Sequence, residues 1–345
     1  MVNKFAIAFL AVPLLAADLR IGVLSLFRPE RVTVRSTQVL WVQAGQRAFF
    51  LNAGQVAGLR AVGAEIDLFA QQQLTASKSV KISGRGGTPV EFSLGIEGKI
   101  DRKFTGRLEV TAVGARLEPV ILVDLESAVA AAVAAEMTRD APHEALKAMA
   151  VLARSYYTAG GRRHGPYDFC DTTHCQWRRE TIPSTHPAFP ATNETNGIVV
   201  TYKDQPFAAM YHASCGGETK TAEQVGLSSD PYPYFSVACE PCRRDGPVWS
   251  RKLPADIAQP ILTNVSETLR LAITRQLGWS ALPSNNYKAR LLGAEAIVDG
   301  RGEGHGVGVC QRGLIHSPGR DFRELLSRYL PQTRAYSKLA YSRLK

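Results

Sequence analysis

At Asp124 the sequence changes period, and this change limits what the chain can become. From Arg20 to about Pro119 it offers short runs rich in Val, Ile and Phe (RIGVLSL, RVTVRS, RAFFLN, VKISG, VEFSL, KFTGRLEV, ARLEPVILV), separated by Gly, Asn and Arg. Such runs read as strands, with Gly84-Arg85-Gly86-Gly87 the clearest turn. After Asp124, Leu125, Val129, Val133 and Met137 recur four residues apart in an alanine-rich segment, which predicts a helix over 125–137. Asp140 is placed to cap a second helix with Pro142 in its first turn. There Leu146, Met149, Ala150, Ala153 and Tyr157 share one face, and Gly160-Gly161 stops it. The expected fold class is α+β: an N-terminal β-rich region joined to a mixed domain that contains a helical hairpin.

The leading residues MVNKFAIAFLAVPLLAA carry one early Lys, an apolar stretch too short to span a bilayer comfortably, and a small-residue site at Ala16-Ala17. This pattern predicts a signal peptide over 1–17 and an extracytoplasmic protein, secreted, periplasmic or wall-associated and at most peripheral to the membrane. The expected division is 1–17 signal, 18–119 β-rich accessory region and 120–345 catalytic domain. Lys and Arg outnumber Asp and Glu by 41 to 31, a net charge of +10, which favours an anionic partner such as a wall polymer. Neither a Lys/Arg-rich run nor an RNP-like motif is present, and this argues against nucleic acid. Beyond 176 the expected elements are a loop over 183–190, strands GIVVTY and PFAAMYHAS, a helix over ILTNVSETLRLAITRQLG, a strand AEAIVDG and a short helix DFRELLSRYL.

Two features carry chemistry. Glu136 shares a helical face with Val129, Ala132 and Val133 near a helix C-terminus; an apolar surround and the negative end of the helix dipole both favour the neutral acid, as a general acid requires. The alternative is a solvated helix-end glutamate. His164, Cys170, His174 and Cys175 offer the four N/S donors of a closed tetrahedral zinc site, with Asp171 available to orient a ligand. A filled set leaves no position for water, so the metal would be structural. The competing reading, open in an exported protein, is a Cys170–Cys175 disulfide.

The remaining cysteines are less defined. His212, Cys215, Cys239 and Cys242 read H-x2-C … C-x2-C, compatible with another zinc or with disulfides, and Cys310 is left over. A Cys310–His305 nucleophile is conceivable, but no triad pattern supports it. The loop GRGEGHGVGVCQRG resembles a phosphate loop, yet it lacks the Lys-Ser/Thr of one and reads instead as a cleft wall.

KFTGRLEV, AAEM, EALKAMAVLARSYY, YDFCDTTHCQ, GIVVTYKDQPFAAMYHASCGGET and GRGEGHGVGVCQRG occur in the order seen in the stage II sporulation protein D family, the SpoIID/LytB domain. The resemblance spans about Arg20 to Tyr329 and is strongest over 125–176, 198–219 and 300–313. It implies a peptidoglycan lytic transglycosylase that cuts MurNAc–GlcNAc bonds of denuded glycan strands. It implies Glu136 as catalytic acid, and His164, Cys170, His174 and Cys175 as ligands of a structural zinc. His212, Ser214, His305 and Gln311 are the expected substrate contacts, and other wall hydrolases are conceivable partners. Some family members are described as non-catalytic wall-binding or amidase-activating proteins, which is the alternative. The sequence departs from the family at Cys310, where Ser is common, and at Glu303 and Arg312, where aromatics are frequent.

Overall fold

The computed structural model describes residues 18–161, 164–172, 175–176 and 181–337. The expected signal segment and His174 lie outside the described residues. The β runs of the first hundred residues assemble into one curled sheet of twelve strands. Its main path runs Phe169–Cys170, Leu19–Gly22, Arg116–Val123, Ile100–Val113, Val90–Ile96, Arg31–Arg35, Val56–Val62, Glu65–Ala70 and Gln73–Ser77. Ser79–Ser83 joins Ile100–Val113 to the hairpin Leu40–Ala44/Arg47–Leu51. Alternation buries one side of strands such as Arg31–Arg35, where Val32 and Val34 point inward. The strands Val56–Val62, Glu65–Ala70 and Gln73–Ser77 were not among the expected runs; they are short, and charged or small residues interrupt their apolar pattern.

The pairing of Leu19–Gly22 with Phe169–Cys170 is parallel, and every other pairing in this sheet is antiparallel. This contact stitches the His/Cys segment to the start of the β region. The expected division at 119 falls inside Arg116–Val123, which leads directly into the first helix of the hairpin. One apolar core continues from the sheet through both hairpin helices to Leu330.

Helix α1 spans Leu125–Glu136, and Asp124 caps it by accepting the Ser127 N–H at 2.9 Å. Met137 leaves helical geometry, so Glu136 is the last helical residue. Helix α2 spans His143–Ala159 and stops at Gly160, where Gly161 adopts a φ of +62°. Its start corrects the expected Asp140 cap. Pro142 has extended backbone and receives the Leu146 N–H at 3.0 Å, so the helix opens one residue after the proline.

The hairpin is locked by Arg154, which is fully buried on α2. Its guanidinium grips Glu126 of α1 at 2.8 and 2.6 Å and donates to the carbonyls of Thr192 and Ile198, both at 3.1 Å. Arg154→Ala strands the Glu126 charge and two carbonyls. The expected cost is about 3 kcal/mol, read as a lower denaturant midpoint in urea melts. An unchanged midpoint would mean the network contributes no stability.

Three expectations after 176 are corrected. Helix Ala188–Glu194 takes in the end of the expected loop. PFAAMYHAS keeps only Pro206 at the end of Gln205–Pro206, the short strand Tyr211–His212 and a single bridge at Ser214. The predicted long helix over 261–278 is confined to Glu267–Leu277, because Thr263–Val265 break from it. That helix belongs to a separate apolar cluster with the antiparallel strands Val248–Pro254, Glu295–Arg301 and Tyr287–Leu292. Among the described residues, no helix is long and apolar enough to cross a membrane.

Candidate active site

The two motif loops that flank the separate cluster in sequence meet beside Glu136. Strand Tyr211–His212 pairs in parallel with Val309–Cys310, and Ser214 bridges to Glu303. Glycine permits this approach at two points. Gly308 has a φ of +76° and lies against the Met210 carbonyl, and Gly302 has a φ of +81° and lies against the Ser214 carbonyl. A side chain at either place would meet the facing strand.

This pairing carries Gln311 to the end of α1. Its amide donates to the Glu136 carboxylate at 3.1 Å and to the Glu136 carbonyl at 3.3 Å. Tyr211, from the other loop, shares a hydrogen bond with the Glu136 carboxyl and also adjoins Gln176. Burial, then the charge of Glu136, hold the Tyr211 hydroxyl well above its usual pKa, so it remains a donor at physiological pH. Glu136 itself is half-buried. A carboxyl thus stands between two neutral donors contributed by segments 100 residues apart in the chain (211 and 311), an arrangement suited to proton transfer.

The other expected contacts sit behind this front. His212 is buried and donates from Nδ1 to the Val307 carbonyl at 3.0 Å. Burial, then His305, pull its pKa down to about 3, so the ring is neutral. His305 packs edge-on to it at 5.6 Å and accepts the Val307 N–H at 3.1 Å through Nδ1, while its pKa is lowered by burial. The loop is anchored from outside by Asn285, which donates to the His305 carbonyl at 3.4 Å and to Glu267, itself paired with Arg270 at 2.7 and 2.8 Å. Ser214 turns its hydroxyl to the Cys242 sulfur at 3.3 Å, within the fold. Of the four expected contacts, Gln311 is the one placed against Glu136; His212 and His305 shape the loop that carries it.

His164, Cys170 and Cys175 come together with their ligand atoms within 4.8 Å of one another, and His164 Nε2 lies 3.2 Å from Cys175 Sγ. The expected fourth donor, His174, precedes Cys175 but lies outside the described residues. The His164 ring stacks on Tyr167, and Tyr167 in turn covers Gly22. Asp171 is engaged elsewhere than as a support for the imidazole. It accepts the Leu24 N–H at 3.0 Å and the Ser25 hydroxyl at 3.1 Å and pairs with Arg102 at 3.1 Å. It ties the segment to the first strand and its following turn.

A second group of sulfurs was not expected in this form. Cys215, Cys239, Cys242 and Cys310 are all buried, with their four sulfurs within 4.8 Å of one another. Cys310, left over in sequence, completes the set in place of His212. None of the six cysteines is joined in a disulfide. Tyr211 was also missed; its signal was its place just before His212 in the YHAS motif.

The model of the SpoIID family, described as stage II sporulation protein, matches residues 114–202. Residues 114–202 are similar to a SpoIID domain. The match takes in both hairpin helices, Glu136, and the segment with His164, Cys170 and Cys175. The chain is also similar to an uncharacterized protein of Brachyspira hyodysenteriae, at 28% identity over 227 residues. That alignment covers 56% of this chain and 61% of the relative, so the chain spans about three-fifths of the relative's length.

Proposed function

We propose that this protein is a lytic transglycosylase that cleaves MurNAc–GlcNAc bonds of denuded peptidoglycan strands, with Glu136 as acid and then base. The observation that supports this reading is the meeting of Gln311 and Tyr211 around the Glu136 carboxyl. Glu136 gives its proton to the glycosidic oxygen as the C1–O bond breaks. The C6 hydroxyl of the same MurNAc then attacks C1, and its proton passes to the Glu136 carboxylate. The products are a 1,6-anhydroMurNAc end and a free GlcNAc hydroxyl, with the acid restored. Because the nucleophile belongs to the substrate, one protein carboxyl is enough, whereas hydrolytic glycosidases need two. The substrate and the excess of positive charge are compatible, since wall polymers are anionic.

His164, Cys170 and Cys175, with His174, would hold zinc. The donor set of imidazole and thiolates suits that ion. The metal would be structural, closing the segment that lies between Gln176 and the first strand. The protein would act outside the cytoplasm.

The test is digestion of denuded glycan strands by the purified chain, with anhydro ends quantified by chromatography and mass. Their release is expected; reducing ends without anhydro-sugars, or no cleavage, would overturn the reading in favour of a hydrolase or a wall-binding protein. Tyr211→Phe removes one donor to the reacting carboxyl. Cleavage should fall by about 10- to 100-fold, the value of a hydrogen bond to a charged group, while the urea midpoint changes little. Unaltered cleavage would place Tyr211 outside the reaction.

A further inference from the structure

We propose that Cys215, Cys239, Cys242 and Cys310 bind a single structural zinc ion, separate from the one expected at His164, Cys170 and Cys175. A tetrahedral ion with Zn–S distances of about 2.3 Å holds its sulfurs about 3.8 Å apart. The four sulfurs here lie within 4.8 Å of one another, with Cys242 and Cys310 at 3.4 Å. Two disulfides would sort four sulfurs into two bonded pairs. This group does not sort, because every sulfur has the other three as neighbours. A polynuclear iron–sulfur cluster places irons and sulfides between its thiolates and spreads them further than one ion does.

The surroundings are those of thiolates. Tyr329 places its hydroxyl 3.3 Å from Cys239 Sγ, and Ser214 its hydroxyl 3.3 Å from Cys242 Sγ. The backbone N–H groups of Cys215 and Gly313 both point at Cys310 Sγ from 3.4 Å. Gly313 has no room for a side chain, which would meet the Tyr329 hydroxyl and Cys239 Sγ. Four thiolates on one divalent ion leave a net negative charge. Arg301 braces the backbone that carries Cys242, donating to the Arg243 and Cys242 carbonyls at 2.7 and 3.5 Å. Donors that fix and stabilise the ligating sulfurs are what a metal site of this kind needs around it.

The consequence is positional. The four ligands come from the loop after Tyr211–His212, the short helix Glu240–Asp245 and its cap, and the residue just before Gln311. An ion here clamps the two motif loops together and fixes the register that presents Gln311 to Glu136. The inference stands on the sulfurs alone and does not depend on glycan cleavage.

The test reads metal and thiol state in the full-length chain. Wild type purified without chelator should hold zinc. Peptide mapping should show Cys215, Cys239, Cys242 and Cys310 protected from alkylation until a strong chelator is added, then alkylated as free thiols. Cobalt-loaded Cys170→Ser/Cys175→Ser protein should show thiolate-to-cobalt charge transfer with tetrahedral d–d bands, and Cys239→Ser/Cys242→Ser should lower the zinc content by one ion per chain. Recovery of these four cysteines as disulfides, their alkylation before chelation, or iron in place of zinc would overturn the proposal. The wild-type mapping decides it even where a variant fails to fold, and it reports separately on Cys170 and Cys175.

Discussion

Glu136→Gln should reduce release of anhydro ends from denuded strands by about a thousandfold, within the 10²- to 10⁴-fold range that general acid–base catalysis contributes. The substitution keeps the shape of the side chain and its place at the end of α1, where Gln311 and Tyr211 converge. It removes the one property the reaction uses, a proton that can leave and return. Because Glu136 is half-buried and no cavity is made, stability should change by no more than about 1 kcal/mol. The pair of measurements is chromatographic counting of anhydro ends and a urea melt of the same preparation. A variant that folds and still cleaves would place the acid elsewhere in the chain.

Loss of the His164, Cys170 and Cys175 site should have the next largest effect, and on stability first. A ligand present at about a thousand times its dissociation constant stabilises a fold by about 4 kcal/mol, so a tightly held structural zinc contributes at least that. Protein contacts also fasten the segment. Phe169–Cys170 is paired to Ile21 and Gly22, Tyr167 rests on Gly22, and Asp171 reaches Leu24, Ser25 and Arg102. His164→Ala and Cys175→Ser should each lose one zinc per chain and melt at lower denaturant. Gln176, one residue beyond Cys175, adjoins Tyr211, so cleavage should fall along with the melt. A zinc that itself performed the reaction would behave differently: chelation would abolish cleavage while the melting midpoint stayed the same. Unchanged metal content in both variants would refute this ligand set.

Much of this could be read from local pattern. The change of period at Asp124 marked the passage from sheet to hairpin, and the Gly160-Gly161 stop was visible because glycine ends a helix by its own backbone freedom. Glu136 stood out as the acid in an alanine-rich segment, and His164, Cys170 and Cys175 were close enough in sequence for their meeting to be anticipated. Proline positions misled. Pro142 suits the first turn of a helix, but here it stands outside as the flanking residue, because its extended backbone turns the link between the helices.

What stayed hidden depended on residues far apart in the chain. Cys310 looked surplus, since nothing near it in sequence shows that it meets Cys215, 95 positions away; the parallel pairing of Tyr211–His212 with Val309–Cys310 brings them together. That pairing also carries Gln311 to Glu136, across 175 positions. The sequence by itself determined where sheet gives way to hairpin, where the second helix stops, and which side chains can carry a proton or a metal, because these follow from periodicity, backbone freedom and functional groups. The tertiary structure alone decided which of those groups face one another. Contact between distant loops is set by shared burial and by glycines that admit a facing backbone, and neither leaves a mark at short range.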